Sequence, residues 1–491
     1  MNGMQKRATL TLLSCGLLLP LWSQKNQYKV EANILTGIGE HAPFYLQSGQ
    51  YGVFGKEVNQ GVLTASLYRT TERTKGFDYG YGLELAASYN NTQTAWVQQL
   101  YGEIQYGWFR FLAGSKQQKG LFREEDLSSG GTIWSGNARP IPQIEIAFND
   151  FHALPFTKGW LELYALIAYG YFIDSPYLKD QYTYQNSFIT TDGWYHHKSL
   201  FFRSKSDRRF VFTIGAEFAA QFGGHYKEYK NGKLHVEHKN KVGIKDFVDV
   251  LIPQAGGSSA SVGDQAYYYG NHLGAWHIMG AYRLNDAHKV TAYCEWLFED
   301  GSGIGKMNGL DGLWGLEYEG AKGSLISNFV LEYIQTTNQG GPIHWAPGDH
   351  TDTSLSDPAT GADDYYNNYF YTGWAHFGQA NGNPFLISPI YDDGGYLRFR
   401  HSRIRGVQVA VKGSLTKSWS YVAKYGHNKG WGSPYIPLKK EKMNAALLAT
   451  TYNPSKLKGW EFSGKVAFDQ GGLIGNNWAI QVGVIKKGII K

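Results

Sequence analysis

Apolar and polar residues alternate along most of the chain, in stretches of strand length. In residues 79–87 the odd positions are Tyr, Tyr, Leu, Leu and Ala, and the even positions are Gly, Gly, Glu and Ala. The same period of two recurs in residues 161–169, 407–415, 461–469 and 478–484. Successive side chains of a strand point to opposite faces, so each stretch has one apolar wall and one polar or small-residue wall.

The composition indicates where the apolar walls face. The chain contains 61 Gly, 35 Tyr, 26 Phe and 15 Trp among its 491 residues. A transmembrane β-barrel places aromatic rings at both lipid boundaries, apolar residues toward lipid and polar residues inside. A soluble propeller or solenoid would show a repeat of fixed period, which we do not find. We therefore predict an all-β fold: a transmembrane antiparallel β-barrel in the bacterial outer membrane.

The N-terminus predicts export. A basic pair at residues 6 and 7 precedes an apolar run over residues 8–22, and the small residue Ser23 follows as a cleavage position. This order is typical of a secretory signal peptide, and the run is too short for a helix that spans a bilayer. We expect residues 1–23 to be the signal peptide and the mature chain to start near Gln24. The alternative is a lipoprotein in which Cys15 carries the lipid.

The remaining chain, residues 24–491, is predicted to form one barrel. No linker rich in proline, serine or charge divides it, and the alternation continues to its end. At roughly 10 residues per strand plus turns and loops, this length corresponds to on the order of 16–20 strands. The chain carries 47 Lys and Arg against 41 Asp and Glu with no basic block, which gives no case for a nucleic-acid partner.

Charged residues occur singly within the strand-like stretches, where they fall on the polar wall. We predict that these side chains face the lumen: Glu84, Glu103, Glu162, Glu217, Lys412 and Lys465. A charge inside a barrel costs least where water or an opposite charge meets it. Because both signs are scattered, we interpret the lumen as filled and cross-linked by ion pairs. A charged channel for an acidic polymer is the alternative.

Two long connections are expected outside the membrane layer. Residues 222–272 are rich in Lys, His and Gly, and residues 338–371 are acidic. His235 and His238 have no further ligands at a recognised interval, so no metal site is predicted, and no cofactor is expected.

Two further segments combine aromatic residues with hydrogen-bonding side chains: residues 116–123 with 133–142, and residues 365–376 with 382–385. Aromatic faces stack on the apolar side of a sugar ring, while Asn, Arg and His bind its hydroxyl groups. The predicted polysaccharide-binding residues are Arg123, Trp134, Asn137, Arg139, Asn368, Tyr369, Trp374 and His376. The alternative is that these residues belong to the aromatic girdles and the turns of the barrel.

Four segments occur in order along the chain: SGNARPIP at 135–142, WYHHKSLF at 194–201, NNYFYTGW at 367–374 and FRHSR at 399–403. Together they resemble motifs of the Wzi capsule assembly family, in its Bacteroidetes version. The resemblance implies an outer-membrane barrel of roughly eighteen strands that binds capsular or other surface polysaccharide without catalysing a reaction. The helical accessory elements of enterobacterial members are not predicted here, because no amphipathic helical stretch of useful length appears.

The expected function is therefore to help attach or assemble surface polysaccharide. The expected partners are that polysaccharide, the lipid and lipopolysaccharide of the outer membrane, and polysaccharide export machinery. A porin or polysaccharide channel is the alternative. We do not predict an enzyme: His197 and Ser199 can share one wall of a strand, but no orienting acid lies near them in the sequence, and one would have to come from another strand.

Overall fold

A computed structural model describes most of the chain. The described residues are 26–71, 76–124, 126–183, 187–253, 269–299, 301–305, 308–340 and 363–490. The predicted signal peptide, residues 1–23, lies outside them, as does Cys15. Most of the acidic connection at 338–371 also lies outside the described residues.

The described residues form twenty-two strands and a few short helices. The strands are β1 (Gln27–Ile38), β2 (Gln60–Arg69), β3 (Phe77–Tyr89), β4 (Ala95–Tyr106), β5 (Phe109–Ser115), β6 (Gln143–Phe148), β7 (His152–Ala153), β8 (Leu161–Tyr171), β9 (Ser187–Ser204), β10 (Phe210–Lys230), β11 (Lys233–Lys239), β12 (Asn271–Asn285), β13 (His288–Phe298), β14 (Gly312–Glu319), β15 (Asn328–Gln335), β16 (Ala375–His376), β17 (Gln379–Ala380), β18 (Ile404–Ser414), β19 (Trp419–Gly432), β20 (Pro437–Tyr452), β21 (Trp460–Gln470) and β22 (Asn477–Ile489). The helices are α1 (Phe44–Gln47), α2 (Ser175–Gln181), α3 (Ile244–Leu251) and a single turn at Gly301–Ile304, with 3₁₀ turns at Pro155–Thr157 and Pro389–Tyr391.

Eighteen of the strands in the described part of the chain close into one barrel, and β7, β11, β16 and β17 lie outside this ring. Every neighbouring pair in the ring is antiparallel, and β22 completes it by pairing with β1 from Gln27↔Ile489 to Ile38↔Trp478. Closure matters because lipid offers no partner to an unpaired backbone N–H or C=O group. The predicted fold class is confirmed.

The side chains alternate between the lumen and the outside, as the sequence pattern predicts. In β3, Leu83 and Leu85 are exposed on the outer wall, whereas Glu84 and Ala86 are buried. Outward-facing aromatic residues cluster near both ends of the strands. Those near one end include Phe77, Tyr106, Phe109, Trp160, Phe210, Trp419 and Trp460, and those near the other include Tyr89, Trp276, Trp296, Trp314 and Trp478. These two girdles mark the lipid boundaries of an outer-membrane barrel.

The lengths of the connections orient the barrel. Strands β4 and β5 are joined by residues 107–108, and β12 and β13 by residues 286–287, at the same end. The opposite end carries the connections at 39–59, 116–142 and 336–403. Outer-membrane barrels have short turns at the periplasmic end and long loops outside, so the long connections belong to the extracellular end.

The connection predicted at 222–272 is only partly a loop. Strand β10 continues to Lys230 and forms a hairpin with β11, where His225 pairs with Lys239. Most positions on both faces of this Lys- and His-rich stretch are polar, so its alternation of apolar and polar residues is weak in the sequence.

Helix α3 follows this hairpin and lies on the outer wall of the barrel. The Phe247 ring packs 5.1 Å from Tyr169 and 5.2 Å from Trp194 between ring centroids. The Lys198 ammonium group on the same wall donates to the carbonyl oxygens of Val250, at 3.1 Å, and Leu251. The free carbonyl groups at a helix C-terminus favour a cation, so this end of α3 satisfies a charge on the lipid-facing wall. Among the described residues, no helix is long and apolar enough to cross a membrane.

The position of Val482 on the outer wall leads to a quantitative prediction. This side chain is 57 % exposed in the middle of β22, where it pairs with Ile34 and Gly464. We expect Val482→Lys to lower the free energy of unfolding by about 2–4 kcal/mol, because it places a charge in the middle of the lipid layer. Denaturant unfolding in lipid vesicles measures the effect. Val482→Leu is the control, and equal stability of the two variants would contradict a lipid-facing position.

Candidate functional site

The loop between β5 and β6 crosses the lumen. We call residues 116–142 the crossing loop. On the opposite wall, the Glu295 carboxylate accepts a hydrogen bond of 2.7 Å from the Thr132 backbone N–H and forms an ion pair with Arg123. Glu332 accepts hydrogen bonds from the Ser128 hydroxyl at 2.7 Å and the Ser129 N–H at 2.6 Å. Two inward-facing carboxylates thus fix the loop far from its own strands.

Further contacts extend this attachment to β18. The Gln408 side-chain amide donates to the Leu127 carbonyl oxygen at 2.6 Å. The Lys412 ammonium group lies 2.8 Å from the Glu124 carboxylate. The crossing loop therefore bridges β5 and β6 on one side to β13, β15 and β18 on the other.

A second loop packs on the crossing loop. We call residues 363–403 the covering loop. The Trp374 indole N–H donates to the Ile133 carbonyl oxygen at 2.9 Å, and the Tyr366 hydroxyl donates to that of Thr132 at 2.5 Å. Gly382 allows this approach, because a Cβ atom there would lie 2.0 Å from the Tyr366 hydroxyl oxygen and 2.3 Å from the Thr132 carbonyl oxygen.

The loop between β1 and β2 completes the assembly. The Gly49 backbone N–H donates to Asn137 Oδ1 at 3.0 Å, and the Tyr45 hydroxyl donates to Gln408 Oε1 at 2.8 Å. We call residues 39–59, the crossing loop and the covering loop together the plug. Its aromatic residues Phe44, Tyr365, Trp374 and Phe385 are fully buried in one apolar cluster that includes residues of the barrel wall.

Asn137 and Arg139, two of the residues predicted from the sequence, lie inside the plug. Asn137 Nδ2 donates to the Ala380 carbonyl oxygen at 2.9 Å. The Arg139 guanidinium group donates to Gln93 at 2.6 Å and lies 4.0 Å from the centroid of the Phe377 ring. Burial lowers the pKa of Arg139 to about 10. The polar groups of both residues hold loops together.

Trp374 and His376 also lie at the centre of the plug. Both side chains are fully buried. The His376 ring contacts the Arg139 carbonyl oxygen through Nδ1 at 2.8 Å, which fixes the proton on that nitrogen. Burial lowers the pKa of His376 to about 3, with the nearby Arg139 charge acting in the same direction. The neutral ring is therefore the form that fits this position.

Asn368 and Tyr369 lie elsewhere on the covering loop. Asn368 Oδ1 accepts the backbone N–H groups of Phe370 and Tyr371 at 2.8 and 3.3 Å, which shapes the turn. Asn368 Nδ2 donates to Asn271 at 3.2 Å. The Tyr369 side chain is 54 % exposed. Neither Asn368 nor Tyr369 lines the cavities of the lumen that Arg123 and Trp134 reach.

Arg123 and Trp134 line the open space that remains in the lumen. The first cavity has a volume of about 410 Å³ and lies against β5, β6 and β8–β10, where its walls include Tyr164 and Tyr195. The second cavity has a volume of about 450 Å³ and lies against β18–β21. Arg123 and Trp134 line both cavities, because the crossing loop runs between them.

Both cavities extend to the periplasmic end. Phe148 and Asn149 line the first, at the point where β6 ends. Thr451 and Glu461 line the second, each one residue from the periplasmic end of its strand. The covering loop thus lies above the cavities, toward the outside, and the crossing loop runs between them.

A carboxylate from a neighbouring strand orients His197 in the first cavity. Glu217 lies 2.7 Å from His197 Nε2 and 3.1 Å from His277 Nε2. Ser199 lines the same cavity as His197, but in the described part of the chain no hydrogen bond joins their side chains. The sequence did not single out His277 as a site residue. The alternation of apolar and polar residues in β12 nevertheless indicates that its side chain faces inward.

The remaining charges named from the sequence lie on the inner wall. Glu84 accepts a hydrogen bond from Gln99 at 3.1 Å, Glu103 pairs with Lys116 at 2.6 Å, and Glu162 pairs with Arg203 at 2.6 Å. Lys465 lines the second cavity. Across the described ranges, no group of three His, Cys, Asp or Glu side chains is placed to hold a metal ion.

Comparisons with known proteins give structural matches. No protein-family model and no curated protein matches the sequence. The structure is similar to that of Wzi from Escherichia coli, a carbohydrate-binding outer-membrane β-barrel involved in group 1 capsule assembly, with a TM-score of 0.55 and 13 % identity over 93 % of this chain and 83 % of that one. It also matches Pseudomonas aeruginosa OccK5 (TM-score 0.45, 7 % identity, 95 % of this chain and 99 % of that one) and OprD (0.44, 8 %, 96 % and 96 %). The chain is an outer-membrane β-barrel.

The plug predicts a contrast between two tryptophans. We expect Trp374→Ala to destabilise the plug by about 3–5 kcal/mol, because it leaves a large buried hole and an unpaired carbonyl group. Trp134→Ala removes a half-buried ring that faces the cavities and should leave the plug closed. Conductance in planar bilayers distinguishes them: open events should appear for Trp374→Ala alone. Equal conductance of both variants would contradict this role of Trp374.

His376 makes the plug sensitive to acid. Its pKa in the folded protein, about 3, lies below the value of 6.5 for an unperturbed histidine. The stabilising contribution is therefore complete above pH 6.5 and is lost as the pH falls toward 3, by roughly 1 kcal/mol per pH unit. We expect the hydrogen-exchange protection factors of the covering loop, which correct for the slower chemical exchange in acid, to fall between pH 7 and 4.5. His376→Asn, which keeps a donor but cannot ionise, should reduce this fall, and an unchanged dependence of the protection factors on pH would refute the assignment.

Proposed function

We propose that this protein binds surface polysaccharide and assists its attachment or assembly at the cell surface, without catalysing a reaction. The observation that carries the proposal is the pair of cavities in the lumen, which share the Trp134 ring and the Arg123 guanidinium group. Aromatic faces beside charged and amide groups suit a sugar ring, which has an apolar face and a rim of hydroxyl groups.

The arrangement of the motifs supports membership of the Wzi capsule assembly family. Segment 135–142 lies in the crossing loop, and segments 367–374 and 399–403 lie in the covering loop. Segment 194–201 belongs to β9, whose inward residues line the first cavity. The motifs thus meet around the plug and the cavities. The E. coli Wzi barrel binds carbohydrate, and its fold is shared with this chain.

The plug favours a binding function over transport. Within the described residues, Glu295 and Glu332 fix the crossing loop across the space that a solute would use. A porin would need this loop to leave most of the lumen free. Large and steady wild-type currents in planar bilayers would support the porin function instead.

The first cavity holds the only side chains that the sequence suggested as a catalytic set, and their contacts favour a structural role. The Glu217 carboxylate lies between His197 and His277 and supplies the orienting acid that is not close to them in the sequence. A hydrolase would also need one of these histidines to accept the proton of a nucleophile, but among the described residues no hydrogen bond joins the Ser199 and His197 side chains. We therefore propose no enzymatic activity.

Binding to purified protein tests the proposal. We expect Trp134→Ala to weaken binding of the polysaccharide from the producing strain by about three- to tenfold, since one aromatic contact is worth on the order of 1 kcal/mol. Trp134→Phe should retain most of the affinity. Tyr369→Ala is the matched control outside the cavities. A loss for Tyr369→Ala with normal binding by Trp134→Ala would place the site on the outer face of the plug.

A deletion strain tests the cellular role. We expect the polysaccharide to be synthesised in normal amounts but released into the medium, because its attachment is lost. Measurement of cell-bound and free polysaccharide separates attachment from synthesis. Unchanged cell-bound polysaccharide would contradict the proposal.

A further inference from the structure

The second cavity carries more positive than negative charge. Its lining includes Lys119, Arg123, Lys424 and Lys465, and its acidic residues are Asp126 and Glu461. An uncompensated ammonium group in a partly enclosed space is costly unless water or an anion meets it. What this cavity can bind therefore depends on which of its cations already have an ion-pair partner.

The acids of the cavity are paired with residues outside its lining. Asp126 lies 3.7 Å from Lys412, and Glu461 lies 3.1 Å from Lys487. Arg123 is paired with Glu295. None of these three carboxylates forms an ion pair with the other cations of the cavity, although the Asp126 charge acts on Lys424 at longer range.

Three lysines remain. Among the residues that the structure describes, no carboxylate forms an ion pair with Lys119, Lys424 or Lys465. Lys424 and Lys465 project inward from β19 and β21, on either side of β20, where they are level with Leu447 and Ala449. Two strand spacings and an offset of two residues place their backbones about 12 Å apart, so long side chains can reach a common ligand. Lys119 comes from the crossing loop.

Aromatic rings stand beside these ammonium groups. The Lys424 ammonium nitrogen lies 5.7 Å from the centroid of the Tyr45 ring. Tyr45, Tyr51 and Trp134 all line the cavity. A ligand with a flat apolar face and a negative substituent would use both kinds of group.

We propose that the second cavity binds an acidic sugar residue, a uronic acid, with its carboxylate at the Lys424 and Lys465 ammonium groups and its ring against the aromatic wall. This inference rests on the proposed function and names the class of polysaccharide that the protein selects. The lining reaches Thr451 and Glu461, so the cavity extends toward the periplasmic end of the barrel. The cavity is large enough for about one to two sugar residues rather than a long segment of polymer.

Binding measurements with defined oligosaccharides test the inference. The probes are a hexamer of galacturonic acid and a neutral hexamer of glucose, titrated into the full-length protein in detergent. We expect the acidic probe to bind at least tenfold more tightly and to weaken with salt, because ammonium–carboxylate attraction is screened. The double variant Lys424→Met, Lys465→Met should lose this preference and keep the affinity for the neutral probe.

Matched variants separate local from general charge effects. Lys424→Arg keeps the cation and should retain the preference for the acidic probe. Lys456→Met removes one charge from the exposed turn between β20 and β21 and should change nothing. A heat-shifted gel mobility equal to that of the wild-type protein shows that each variant is folded.

The outcomes distinguish this inference from the proposed function. If the native polysaccharide binds but the double variant binds both probes as the wild type does, the inference fails and the proposed function stands. If neither the probes nor the native polysaccharide bind, the proposed function fails. If inorganic phosphate displaces the acidic hexamer at equal charge concentration, the cavity is a general anion site and the uronic acid assignment is wrong.

Discussion

The interior of this barrel depends on two carboxylates, Glu295 and Glu332, which point inward from β13 and β15. A loop that enters a wide lumen carries backbone N–H groups that have lost water, and each needs an acceptor. The two carboxylates accept N–H and hydroxyl groups of the crossing loop at 2.6–2.7 Å. A charged acceptor makes a stronger hydrogen bond than a neutral one, so a few contacts suffice to hold the loop. The covering loop packs on the crossing loop and is held in place through it.

The same attachment shapes the open space. Because the crossing loop reaches the far wall, the lumen below the covering loop is divided instead of forming one wide channel. Each half meets a different set of inward side chains: a His–Glu–His cluster on one side and lysines on the other. Such a division favours specific binding, since each compartment presents a different set of chemical groups to a ligand.

The barrel could be predicted from the sequence because its walls obey a period of two. The outward Leu83 and the inward Glu84 follow directly from that rule. The plug has no period, so its residues could be judged only by composition. Trp374 and His376 have the composition of a sugar-binding surface, yet they are fully buried, because a tightly packed polar loop uses the same aromatic and hydrogen-bonding side chains. Lys424 was missed because an unpaired cation differs from a paired one only in three dimensions.

Helix α3 makes one flank of the cylinder different from all the others. Over β8–β10 the bilayer meets a helix and not a pleated surface, and the Lys198 charge is hidden beneath it. The sides of the barrel that face the lipid are therefore not equivalent to one another. A neighbouring protein that approaches this flank is kept at the distance of one helix diameter, whereas the strand surface of β18–β22 allows close contact. Crowded arrays of this protein would consequently have a preferred direction of packing.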